Sequence, residues 1–486
     1  MLRRIWSRVE NKIPNEQAAY QGGRGTTEQV LSLKLMVEKA LSSSDLQIYI
    51  ELLDMSKAFD TVNRQLLFEH LETILEPDEL HILSLLTNAP NIKIQLEQCE
   101  GPGFTSYQGI MQGDCLSAVL FIYYLSCALA HEAHEIPSTI CPPKCHTDDI
   151  CTCEAQTHAG TGEKPSTTNI NHDHTYSKSG KNENQKKERN HVSEKPIPDI
   201  NPKYADDITY ITISAQRHQN RERITTERLK PYNLTVNSLK TEKYIAPEIP
   251  NTSSTQQQNR DILWSDLDWT IPKSKPPIKA PPQRVLECKL LGSKIGTVQD
   301  IKNRKCNVIP AIRANQKYFN SKIISKEMKI RIFNTYVEPI MLYNSEIWNM
   351  NKTLNNSIDA YQRRLLRQAL NIKHPEHMTN NKLYKITKAV PWSRKIKERR
   401  LNLLGHVLRL PSDTPIQKAL QANTITSRNK VGRPKSSWIN TVLDDLKAVP
   451  NMTQKLYPQT LNELIKCAKE REVWRDLVKG SMSGTE

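Results

Sequence analysis

The sequence predicts an α+β protein, and three observations carry that expectation. Two runs rich in β-branched and aromatic residues, LQIYIELLD at 46–54 and DITYITIS at 207–214, read as strands. Apolar residues at helical intervals mark helices after Thr26 and across Leu116 to Leu129. From 284 to the end the pattern is largely helical, with no internal repeat. At 486 residues the chain is long for one ordinary domain and suggests about two to four.

Along the chain, the opening twenty residues are short and mixed. Thr26 and Gln29 have capping-box spacing, and Val30, Leu33, Val37 and Leu41 follow at helical intervals. The run at 46–54 is apolar enough for a mostly buried strand ending at Asp54. A helical segment follows, then GPGF at 101–104 as a turn. Residues 137–200 change to Asn, His, Lys, Ser, Thr and Pro, and read as a largely disordered insertion. Order resumes around Tyr204-Ala205-Asp206-Asp207, and a second polar, Pro-containing stretch runs from 247 to 283.

Charge narrows the function. Lys and Arg number 68 against 52 Asp and Glu, a formal charge of +16, which favours nucleic acid or an anionic surface over acidic small molecules. The longest apolar stretch, Leu116 to Ala130, is short of the ~20 residues that span a bilayer, and MLRRIWSRVENK lacks a signal-peptide core. The chain therefore reads as intracellular, with no membrane partner, and ten cysteines do not make a disulfide scaffold. From Lys382 to Lys435 there are 14 Lys/Arg against Glu398 and Asp413, which predicts a basic face interleaved with Trp392 and Trp438.

Two acidic sites stand out: Asp54 at the end of a buried strand, and Asp206-Asp207 within β-prone sequence. Taken singly, each is also what a strand end or a hairpin turn would carry without any chemistry. Taken together, carboxylates brought from distant positions to one place suit a pair of Mg²⁺ ions, which use one or two carboxylates each and leave room for phosphates. Between them, Gly109 to Ser117 opens a helix, where glycines permit close backbone approach and the helix start favours an anion.

LDMSKAFD at 53–60, GIMQGDCLS at 109–117 and YADD at 204–207, in that order, resemble motifs A, B and C of the reverse transcriptases of non-LTR (LINE-like) retrotransposons. EQAAYQGGRGTTEQ at 16–29 is similar to the segment before motif A, NSLKTE at 237–242 to motif D, and CKLLGSKI at 288–295 to the primer grip. YVEPIMLYNSEIW, LLGHVLRLP and VGRPKSSW resemble later segments of the same elements.

The resemblance implies a right-hand polymerase. Partial fingers would occupy 1–45, the palm 46–136 and 201–246, and a primer-grip-like segment 284–298. A helical thumb would cover 299–372 and a basic helical nucleic-acid-binding region 373–486, with the polar insertion at 137–200 and a polar linker at 247–283. The implied activity is RNA-directed DNA synthesis with two Mg²⁺ ions, an RNA template, a DNA primer and deoxynucleotides (dNTPs), and the implied location is nuclear. Asp54 and Asp206 match the metal ligands, and Asp207 a weaker third carboxylate. Phe59 matches the bulky side chain that excludes a ribose 2′-hydroxyl, and Gln112 and Gly113 match residues around the templating base. Lys240 matches the lysine that serves the departing pyrophosphate, although a surface lysine after a turn would look the same.

The sequence departs from that family in several places. The Arg-Pro-Ile stretch whose cations hold the triphosphate has no equivalent upstream of Gln17, so the chain reads as N-terminally truncated, with Arg24 the only candidate substitute. Cys115 stands where proline is usual. No endonuclease region precedes the polymerase motifs, and after Cys306 the only cysteine is Cys467, so a downstream zinc knuckle is not expected. Cys141, Cys145, Cys151 and Cys153, with His146 and His158, cluster in the insertion, but their spacings are not those of common zinc modules. Reduced cysteines in a flexible loop are preferred there over a zinc site. The rival reading is a catalytically inactive, retrotransposon-derived nucleic-acid-binding remnant.

Overall fold

LQIYIELL is apolar at consecutive positions because the strand it forms is covered on both faces. Strand β1 (Ile48–Leu53) is central in a four-stranded antiparallel sheet with β2 (Lys203–Tyr204), β3 (Asp207–Thr212) and β4 (Glu242–Ala246), in the order β2-β3-β1-β4. The register sets Leu53 opposite Ile208 and Tyr49 opposite Thr212 on one side, and Ile48 opposite Ala246 on the other. Ile48, Ile50 and Ile211 join one apolar core, while Leu53, Ile208 and Tyr210 join a second. Side-chain alternation along a strand sends neighbours to opposite faces, which is why one short strand serves both cores.

The structure, a computed structural model, describes residues 1–43, 46–88, 91–96, 99–130, 197, 199–247, 284–372, 378–424, 436–447 and 461–483. These belong to one compact unit. The insertion's cysteines, most of the 247–283 stretch and most of VGRPKSSW lie outside the described residues. Among the described residues no helix is long and apolar enough to cross a membrane.

The core around Leu53 is built by α1 (Leu2–Val9), α3 (Arg64–Glu72), α4 (Pro77–Thr87) and α5 (Cys115–Ala128). Helix α1, not foreseen in the sequence, buries Ile5 and Val9. Helix α5 is apolar all round and buried nearly throughout, as the sequence predicts. Helix α6 (Ala215–Leu229) follows β3.

The other core surrounds α2 (Thr26–Ser42), where buried residues run almost without a break from Glu28 to Leu41. The capping box expected of Thr26 and Gln29 does not form. Gly25 is the N-cap and has no side chain to cap with; Thr26, the first residue of the helix, pairs its hydroxyl with that of Tyr343 at 3.3 Å, and Thr27 donates to Asn344 Oδ1 at 2.7 Å.

Beyond a hairpin at Lys289–Leu290 and Ser293–Lys294, the chain is helical. Helices α7 (Thr297–Ala314), α8 (Lys326–Tyr336), α9 (Lys352–Ala369), α10 (Asn380–Thr387), α11 (Trp392–Val407), α12 (Pro415–Thr424), α13 (Trp438–Lys447), α14 (Leu461–Lys469) and α15 (Arg471–Ser483) pack on α2 or on one another. The expected interleaving of a basic face with Trp392 and Trp438 does not form. Trp392 is 0% and Trp438 1% exposed, their indole N–H groups donating to Glu338 Oε2 and to the Glu346 carbonyl. Of the basic residues, Arg400 also turns inward, bonding Asp445 and the Trp348 carbonyl, while Arg399 stays exposed and donates to the Leu342 carbonyl. An indole in water leaves a large apolar surface exposed, so packing claims it first.

Candidate active site

The antiparallel register of β1 and β3 brings the two acidic sites together. β1 ends at Leu53, paired with Ile208, so Asp54 leaves the strand beside the start of β3 at Asp207. β2 and β3 form a tight hairpin, with Tyr204 paired to Asp207 and only Ala205 and Asp206 in the turn. Ala205 sits at φ 55°, a left-handed conformation uncommon for alanine.

The charges behave as a crowded group. Burial raises the Asp206 carboxyl above its ordinary range, and the charge on Asp54 adds to this against a backbone hydrogen bond that lowers it. Burial, then the charges on Asp206 and Asp54, push Asp207 up to about 6. Because Asp207 is exposed to solvent, the crowding of carboxylates is the more durable of those causes. Asp54 Oδ2 is buried and receives no hydrogen bond, and the nearest cation is Lys240 Nζ at 3.8 Å.

Among the described residues, no group of three or more His, Cys, Asp or Glu side chains is arranged to grip a metal ion by itself. This donor set is nevertheless one that Mg²⁺ accepts. That ion is held by one or two carboxylates and completes its shell with water and phosphate oxygens rather than a full protein cage. A buried carboxylate oxygen without a donor, beside two further acids, has the charge demand such an ion meets.

The segment at 234–241 is fastened to the same strand end. Asn237 N donates to the Asp54 carbonyl at 2.8 Å, Ser56 N to the Thr235 carbonyl at 2.9 Å, and Met55 bridges Val236. Lys240, whose side chain is 70% exposed, is thereby carried to the mouth of the acidic cluster.

The motif B loop is built against motif A. Gly109 N donates to the Val62 carbonyl and Ile110 N to that of Phe59. Phe59, half-buried, stacks on Phe121 with ring centroids 4.5 Å apart. Gln112 Nε2 donates to Asp60 Oδ1 at 3.2 Å, and Gly113 takes φ 94° just before Asp114 caps α5 through Ser117 N. Arg24 is placed elsewhere: its guanidinium donates to the Asn15 carbonyl at 2.9 Å and to Asn15 Oδ1 at 2.5 Å.

Three residues at the site were not foreseen. Arg64, 8% exposed, donates to the carbonyls of Gly109, Ser106 and Gln108 and so holds the motif B loop. It is the first residue of α3, where the helix dipole disfavours a cation, and that misfit was the available signal. Tyr20 is half-exposed, and its hydroxyl is raised by burial first and then by the Asp206 charge. Gln17, 1% exposed, meets the turn at Ala205. A buried glutamine has no periodicity that marks it.

No family model and no curated protein match this chain. Solved structures do. A telomerase from Candida albicans, in complex with a TWJ fragment of telomeric RNA, aligns at 10% identity with a TM-score of 0.28. The corresponding telomerase complex from Candida tropicalis aligns at 11% identity with a TM-score of 0.32. In both, the match covers 87% of this chain and 56% of the other, so the chain spans a little over half the length of those structures. These superpositions are loose, and the functional weight falls on the aspartates. The protein is a mixed helix-and-sheet chain whose three candidate carboxylates meet at one end of an antiparallel sheet.

Proposed function

We propose that this chain is an RNA-directed DNA polymerase of the non-LTR retrotransposon kind, joining a deoxynucleotide to a primer 3′-hydroxyl on an RNA template. The observation that carries the reading is the meeting of Asp54 with Asp206 and Asp207, with a buried carboxylate oxygen left without a donor. Asp54 and Asp206 would hold Mg²⁺, with Asp207 as the weaker third ligand. Such ions supply charge neutralisation at the phosphates and a more acidic 3′-hydroxyl.

The chain's own groups would do the rest. The Phe59 ring, fixed by Phe121, would fill the space a ribose 2′-hydroxyl needs. Gln112 and Gly113 would lie along the nascent pair, and Lys240 Nζ would give its proton to the departing pyrophosphate oxygen. The excess of basic residues would meet the backbone of the template and primer through sequence-independent contacts.

A second reading has a specific observation in its favour. Arg24, the cation the sequence offers for a triphosphate, is already engaged by the Asn15 carbonyl and side chain. On that reading the chain binds nucleic acid without catalysis. Primer extension on a primed RNA template with Mg²⁺ and deoxynucleotides, comparing the chain with Asp206→Ala, separates the two. Extension that vanishes in the variant supports the polymerase; no extension by either protein, with salt-dependent duplex binding by both, supports the remnant.

A further inference from the structure

The hairpin that carries Asp206 and Asp207 is under two stresses. Ala205 sits in the left-handed region, which costs an L-residue roughly 1–2 kcal/mol. The register sets three carboxylates at one strand end, where like charges repel, and an unclamped two-residue turn would relieve both stresses by swinging the acids apart.

One side chain opposes this. Gln17 Oε1 accepts from Ala205 N at 2.9 Å and from Ala19 N at 3.0 Å, while its Nε2 donates to the Ala205 carbonyl at 3.2 Å. Both backbone polar groups of the turn residue are thus satisfied by a single amide. Ala205 is 7% exposed, so water would not readily replace those bonds. The clamp is itself seated by the backbone. Lys203 N donates to the Glu16 carbonyl and Ala18 N to the Lys203 carbonyl, each at 2.9 Å, so the chain on both sides of Gln17 is fixed to β2.

Only an amide of this length serves. A carboxylate keeps the acceptor and loses the donor; an aliphatic side chain loses both and takes the partner from three backbone groups, the N–H and C=O of Ala205 and the N–H of Ala19.

We infer that Gln17 is a positioning residue for the acidic site: it clamps the Ala205 turn and so fixes Asp206 and Asp207 beside Asp54. The inference rests on the two-ion reading above, and metal binding tests it without requiring turnover. The full chain is titrated with Mn²⁺ by electron paramagnetic resonance, beside Asp206→Asn, Gln17→Met and Gln17→Glu, with melting of each metal-free protein as a control on folding.

Wild-type binding that is lost in Asp206→Asn and weakened about tenfold in both Gln17 variants supports the inference, the scale expected when an outer-shell partner of a metal ligand is removed. Gln17→Glu is the sharper variant, since its extra negative charge alone would tighten Mn²⁺ binding whereas a displaced turn weakens it. If Gln17→Met does not fold, Gln17→Glu decides. Unchanged or tighter binding in the Gln17 variants overturns the inference and leaves the two-ion reading standing. A wild-type chain that binds no more Mn²⁺ than Asp206→Asn overturns both.

Discussion

Lys240 Nζ stands 3.8 Å from Asp54 Oδ2, an oxygen that no hydrogen-bond donor reaches. The distance is set by backbone: Asn237 N is bonded to the Asp54 carbonyl, and Lys240 N closes a turn onto the Asn237 carbonyl. A lysine with a 70% exposed side chain is placed beside a half-buried acid without a hydrogen bond to it. As an ion pair this contact is worth little, because exposed pairs contribute about 0–1 kcal/mol.

On the polymerase function proposed above, Lys240→Met is expected to leave the melting temperature nearly unchanged and to slow nucleotide addition by about 100-fold, the scale of a lost general acid. Single-turnover extension beside a thermal melt measures both. Equal rates for the variant and the wild-type chain would reduce Lys240 to a surface residue.

Removing one acid should stabilise the metal-free fold. The Asp207 carboxyl is raised, so its contribution to stability is present below its ordinary value and is lost as pH rises through about 6. Asp207→Asn has no such loss. In chelator at pH 8 it is expected to melt above the wild-type chain, by about 0.5 kcal/mol after screening, and at pH 4 to melt with it. The pair of melting curves checks this.

Gly109 cannot accept a side chain. It sits at φ 77°, and a Cβ there would lie 2.7 Å from the Asp60 carbonyl oxygen and 2.8 Å from the Asp60 Cα. Gly109→Ala must push the motif B loop away from motif A and is expected to cost about 2 kcal/mol or more. Faster amide hydrogen exchange at Ile110, whose bond to the Phe59 carbonyl would open, locates the damage.

Beneath the sheet, Glu51 is 1% exposed between Lys243 and His218. Burial pushes its carboxyl up to about 7, while Lys243 pulls it down. Burial, then the charges of Lys243 and Arg221, lowers His218 to about 4, so near neutrality the imidazole is uncharged. The raised Glu51 favours the fold below its ordinary value, and that stability is lost as pH rises through about 7. Glu51→Gln is expected to be more stable than the wild-type chain at pH 8, on the order of 2 kcal/mol, and equal to it at pH 4. Urea unfolding at the two pH values measures the difference.

Much of this protein is local in origin and so legible in its sequence. The apolar run of β1, the all-round apolarity of α5, the hairpin around Ala205-Asp206 and the helical C-terminal half follow from propensity and periodicity over a few residues. The candidate acids could be named because strand ends and turns mark them. Other features depended on which distant segments meet. Gln17 and Ala205, or Arg64 and Gly109, are joined by side-chain hydrogen bonds that leave no pattern in the residues between them. Thr26 and Gln29 had the spacing of a cap, yet the helix starts after Gly25 and Thr26 meets Tyr343; Trp392 and Trp438 lay among cations, yet both became core. In each case partners remote in sequence decided what a local preference worth about 1 kcal/mol could not. Sequence alone placed the acids; tertiary structure decided what holds them together.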